Sequence, residues 1–134
     1  MSVAVARGGD MSDHAATIGR FWAATEARDW DGLAEVLADD LVYEMEQTRE
    51  RVRGKPAFVR FFSEFPGDWH LVVRRIIADA DGGVSTLDFT VGDEHMVGIT
   101  FFTFGADGRI TRLEDVWPEA YERPESRAHL TELV

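Results

Sequence analysis

Three clusters of turn-forming residues, Asp79 to Gly83, Gly92 to Glu94 and Gly105 to Gly108, cut the chain between Trp69 and Trp117 into four runs of similar length. The runs cover roughly 69 to 78, 84 to 91, 95 to 104 and 109 to 117 and are rich in Val, Ile, Thr and Phe, side chains that suit a pleated surface. Short turns between extended runs predict three hairpins, with consecutive neighbours paired antiparallel.

Upstream the apolar period changes. Ile18, Phe21, Trp22 and Thr25 fall at i, i+3, i+4 and i+7, which predicts a helix with one buried face, capped by Ser12 or Asp13. Asp29 is positioned to cap a second, shorter helix carrying Leu33, Val36 and Leu37, and an extended run follows at 41 to 47. Pro56 suits the first turn of a third helix, Phe58, Phe61, Phe62 and Phe65 repeat at helical spacing, and Pro66-Gly67 stops it. The Phe stripe reads as core. Helices first and hairpins later predict an α+β domain of three N-terminal helices followed by an antiparallel sheet.

The chain has 134 residues, 45% of them hydrophobic, enough for one core and too short for two ordinary domains. Residues 1 to 11 offer no periodic apolar face and read as a disordered, dispensable leader, which leaves 12 to 134 as the domain. A net charge of −11 repels phosphate backbones and anionic lipid, so neither nucleic acid nor membrane is an expected partner. No run is long enough to cross a bilayer as a helix. With no Cys there is no disulfide and no thiolate nucleophile; this suits the reducing cytoplasm, the expected location, and equally a secreted chain that needs no cross-link. The four His are scattered without metal-ligand spacing and no Gly-rich phosphate loop or nucleophile elbow occurs, so neither metal nor cofactor is expected.

Alternation sorts the strand side chains. Met96, Gly98, Thr100, Phe102 and Phe104 share one face of their strand, and His95, Val97, Ile99, Phe101 and Thr103 share the other. Both faces carry apolar groups, so the outer one needs a cover, and a homodimer is the expected solution. In the last strand Thr111, Leu113, Asp115 and Trp117 alternate with Ile110, Arg112, Glu114 and Val116. If Leu113 and Trp117 face the interior, Asp115 does too, and burial beside an indole drives its pKa upward.

The stretches ARDWDGLAEVLADDLVYEME, RGKPAFVRFF and FGADGRITRLEDVWPEAY, in that order between helices and hairpins, resemble corresponding segments of the nuclear-transport-factor-2-like superfamily. That group includes SnoaL-like polyketide cyclases, ketosteroid isomerase, scytalone dehydratase and limonene epoxide hydrolase. The resemblance covers roughly residues 15 to 121 and implies a cone-shaped fold around a pocket for a small hydrophobic organic ligand. Laid against the ketosteroid isomerases, Phe21, Met45 and Thr100 stand where those enzymes carry a Tyr, an Asp base and a second Asp, so the resemblance implies the cavity without that catalytic set. Trp117 matches an inward aromatic of the isomerases, and SnoaL-like cyclases are similar in placing an acidic base near the last strand. The Asp-Arg-Asp set of the epoxide hydrolases and the paired His of the dehydratase have no counterpart here.

Asp115 is therefore the candidate general base, against the alternative of an ion pair with Arg112 or Arg109. Tyr43 shares strand parity with Met45 and Gln47, and its hydroxyl either donates to the ligand or serves a core aromatic. His70 is a candidate acid or base or else a strand-end surface residue; Glu44 and Glu46 alternate to the other side, solvated or at a subunit interface. Trp22, Trp69, Phe102 and Trp117 either wall the pocket for a flat ligand or fill it. Two functions remain open: a cofactor-independent lyase, isomerase or cyclase acting on a hydrophobic carbonyl or polycyclic compound, and a non-catalytic ligand-binding or dimerisation module.

Overall fold

A computed structural model describes the backbone of residues 2–134 and the side chains of residues 13–134. The first helix, α1, spans Ser2–Ala27. It runs through Asp13 without a cap there; the Asp13 carbonyl instead accepts from Thr17 Oγ1 at 2.7 Å, a bond internal to the helix. The leader expected over residues 1–11 lies outside the described side chains.

The expected Asp29 cap forms: its carboxylate accepts from Gly32 N at 3.0 Å and opens α2 (Trp30–Glu35). Then come β1 (Leu37–Met45), β2 (Glu50–Arg53) and α3 (Lys55–Ser63). Pro66 and Gly67, the latter at φ +91°, follow the end of α3. The hairpin strands are β3 (Trp69–Asp79), β4 (Gly82–Val91), β5 (Glu94–Phe104) and β6 (Ile110–Val116), and a 3-10 turn at Glu125–Leu130 lies in the C-terminal tail.

The sheet is mixed, not wholly antiparallel. Its order is β2-β1-β6-β5-β4-β3, and β6 runs parallel to β1. Three hairpin reversals after α3 return the chain to the side of β1 pointing the same way, while β2 folds back antiparallel on its other edge. The register shifts within β1, β3 and β5–β6 mark where a curved sheet bends. One shift also corrects the reading of β6: between Thr103 and Phe104 the pairing slips, and Ile110, expected outward, is wholly buried together with Leu113.

The concave face of the sheet packs on α1 and α3. Phe21 lies edge-on to Trp22 and Phe102, with ring centroids 4.6 and 5.5 Å away. Trp69 stacks on Phe89 at 5.9 Å and carries the Arg28 guanidinium 3.5 Å above its ring. The convex face keeps apolar groups in solvent: Val72 is 66% exposed, Ile77 58% and Phe101 48%. Among the described residues no helix is long and apolar enough to cross a membrane.

Candidate functional site

At one end of the concave face the helices leave a cavity of about 240 Å³. β1 and β6 supply Tyr43, Met45, Asp115 and Trp117; β4 and β5 supply Leu87, Phe89 and Met96. Trp22 of α1 and the Phe61, Phe62 and Phe65 rings on the α3 side close the apolar wall, and Gln47, Thr48 and Glu119 add polar groups.

Asp115 is the buried charge of this cavity, 3% exposed. Strand pairing sets it opposite Met45 on one side and Thr100 on the other. Thr100 Oγ1 donates to Asp115 Oδ1 at 2.6 Å, and the Tyr43 hydroxyl, from two residues before Met45 on β1, donates to Oδ2 at 2.6 Å. Desolvation pushes the Asp115 carboxyl up to about 6; the two hydroxyl donors pull the other way by favouring the charged form. Burial, then the neighbouring Asp115 charge, raises the Tyr43 phenol far above its ordinary value, so it stays a neutral donor.

The ion pair weighed for Asp115 does not form. Arg112 points to the convex side and bonds Glu44 and, at 3.0 Å, Glu114, while Arg109 lies 3.8 Å from Asp107. Strand parity separates the two sets: Asp115 faces in with Leu113, and Arg112 and Glu114 face out.

Of the expected lining residues, the structure brings Tyr43, Trp22, Met45, Gln47, Asp115 and Trp117 to the cavity. Phe21, Trp69, Thr100 and Phe102 sit one layer behind it: Phe21, Trp69 and Phe102 are core, and Thr100 acts through its bond to Asp115. His70 is placed elsewhere. Trp69 turns inward, so the next residue turns out, and the His70 ring, 56% exposed, bonds Glu26 at 2.8 Å and Asp68 at 3.1 Å. The bond to Glu26 raises its pKa. Phe61, Phe62 and Phe65, read as core, line the cavity; Leu87, Phe89, Met96, Thr48 and Glu119 were not foreseen as lining, although the parity of Met96 with Thr100 carried the signal.

Gly98 makes room for the cavity wall. A Cβ at this position stands 2.8 and 2.9 Å from Trp117 Cζ3 and Cη2 and 3.3 Å from Leu87 Cδ1, so any side chain displaces the indole. Gly98→Ala is expected to cost about 1–3 kcal/mol, the range for overpacking, read by chemical denaturation. Unchanged stability would mean that the indole swings away freely.

A curved mixed sheet of six strands with N-terminal helices on its concave side is the nuclear-transport-factor-2-like, or cystatin-like, fold. Residues 18–113 match the SnoaL-like domain family, and the chain belongs to that family. The match takes in Tyr43 and Thr100 and ends before Asp115. Among solved structures, a Kribbella flavida protein provisionally named a ketosteroid isomerase is 40% identical over 93% of this chain and 92% of its own, with a TM-score of 0.89. A steroid delta-isomerase from Pseudomonas aeruginosa is 25% identical, covering 85% and 82% of the two chains, with a TM-score of 0.64. An LEH-like epoxide hydrolase from M. tuberculosis, 24% identical over 81% and 84% with a TM-score of 0.70, shares the fold. No curated protein matches the chain in sequence.

Proposed function

We propose that the cavity is a proton-transfer site for a small hydrophobic carbonyl compound, with Asp115 as the base and no cofactor. One observation carries this: a carboxylate 3% exposed, held by two neutral hydroxyls and no cation among the described residues, opens onto an apolar cavity. Such a group is basic enough to take a proton next to a carbonyl and is ionised near neutral pH. The isomerase-named relatives support the reading. Where the resemblance expects acids at the positions of Met45 and Thr100, this chain sets its acid between them, paired with both across the sheet.

Tyr43 is here a positioning residue, since its hydrogen is directed at Asp115. Once Asp115 holds the substrate proton its oxygen no longer requires that hydrogen, and the hydroxyl is free to turn to the developing enolate. Returning the proton to another carbon gives isomerisation; attack by the enolate carbon gives cyclisation; expulsion of a β-substituent gives a lyase. The test is hydrogen–deuterium exchange next to the carbonyl of two-ring ketones in D₂O, followed by NMR. Exchange above the buffer rate supports the reading. Ketones that bind without exchanging favour the non-catalytic binding module, to which the full engagement of both Asp115 oxygens also points.

The convex face belongs to the same proposal: a second copy covers Val97, Ile99 and Phe101, which alternate outward on β5. Ile99→Glu is expected to convert a dimer to a monomer at micromolar concentration, measured by light scattering. A wild-type protein of monomer mass would remove the dimer.

A further inference from the structure

We propose that the ligand, on the reading of the cavity just given, is a neutral one- or two-ring compound with a second hydrogen-bond acceptor at the end remote from Asp115, held by the Gln47 side-chain amide. Gln47 Oε1 accepts from the Trp117 backbone N–H at 3.0 Å. A backbone N–H can be matched only by the amide oxygen, so this bond fixes which way the amide faces. Its NH₂ group, on a residue that lines the cavity, has no acceptor among the described residues. It is an oriented donor at the cavity edge.

Gln47 stands in the turn just past β1, two residues beyond Met45, and meets the Trp117 backbone just past β6, two residues beyond Asp115, so its amide and the carboxyl are separate polar points on one wall of the cavity. The cavity volume limits the ligand's size: 240 Å³ lies below the usual range for ligand pockets, roughly 300–1,000 Å³, and is small for four fused rings. The rings of Trp22, Phe61, Phe65, Phe89 and Trp117 line the cavity and supply aromatic surface for a one- or two-ring skeleton.

Charge selects further. The described lining residues include two acids, Asp115 and Glu119, and no Lys, Arg or His. A carboxylate or phosphate on the ligand would enter with no counter-charge and two like charges nearby, so ionised ligands are disfavoured.

The test is a nitrogen-15 NMR titration of the whole chain at pH 8, read at the Trp22 and Trp117 indoles and the Trp117 backbone amide. Four probes are used: a decalin-type bicyclic enedione, the matching mono-ketone, naphthalene-2-carboxylate, and androst-4-ene-3,17-dione. The enedione is expected to bind about 5-fold or more tighter than the mono-ketone, the size of one added neutral hydrogen bond. The carboxylate should bind at least about 10-fold more weakly than the mono-ketone, the factor that about 1.4 kcal/mol of charge penalty produces, and the four-ring dione no more tightly. Gln47→Glu keeps an acceptor for the Trp117 N–H and removes the donor, so the preference for the second carbonyl should vanish; Gln47→Leu should do the same. Equal binding of the carboxylate, tighter binding of the four-ring dione, a preference that survives Gln47→Glu, or no binding of either two-ring ketone would each overturn the proposal. Proton exchange is scored separately: a Gln47-dependent preference without Asp115-dependent exchange removes the base and leaves the ligand class standing, and exchange without that preference does the reverse.

Discussion

Asp115→Asn is expected to lower the rate of proton exchange on the order of 10²-fold or more while the protein folds as before or more stably. The substitution keeps the shape and removes the charge. Asn retains one acceptor for Thr100 or Tyr43, and its NH₂ meets the other hydroxyl, which can turn to accept. No buried polar atom need be left without a partner, and the desolvated charge is gone. A structural carboxylate and a catalytic one part company on this result. If Asp115 only tied β1 and β5 to β6, Asn would preserve exchange and lower the melting temperature. Exchange followed by NMR alongside thermal melts of both proteins distinguishes the two.

What the sequence made legible, and what it did not, follows from the range of each interaction. Turn clusters and period-two alternation are local, and they marked β3 to β6 closely and set Asp115 inward between Leu113 and Trp117. The parallel pairing of β6 with β1 joins residues about 70 apart, and nothing in either strand announces it. β2 is four residues, Glu-Arg-Val-Arg, with too little apolar pattern to read as a strand. Ile110 went astray because alternation assumes an unbroken ladder, and the slip beside Phe104 breaks it. The α3 stripe showed a different limit. Helical spacing says that Phe58, Phe61, Phe62 and Phe65 share a side; it does not say that Phe58 meets core while Phe61 and Phe65 meet an opening. Strand parity placed Thr100 and Phe102, and helical spacing placed Phe21, on the inward side, without the depth that puts them behind the cavity wall.

The buried acid also makes stability depend on pH in a direction opposite to that of most carboxylates. Asp115 titrates near its ordinary value, 3.8, in the unfolded chain and at about 6 in the fold. Between these values the folded protein holds a proton that the unfolded chain has released, so each step up in pH favours unfolding. Below about pH 4 both states are protonated and the group is neutral in its effect. Above about 6 the cost is complete, on the order of 3 kcal/mol from the displacement at ~1.4 kcal/mol per pH unit. Unfolding free energies measured by denaturant from pH 4 to 8 should therefore fall across this window in the wild type, relative to Asp115→Asn, which lacks the titrating group. Catalysis runs the other way, since only the ionised carboxylate accepts a proton: exchange should rise with pH and level off above about 6. Tyr43→Phe ties the two together. It deletes one of the two bonds that favour the charged form, so the carboxyl should titrate higher still and the midpoint of the exchange profile should move up with it. Carbon-detected NMR of the Asp115 carboxyl reads the same value without substrate. A titration near 3.9 in the folded wild type would mean that the cavity is wet and the carboxylate ordinary, and neither the stability slope nor the rate profile would survive it.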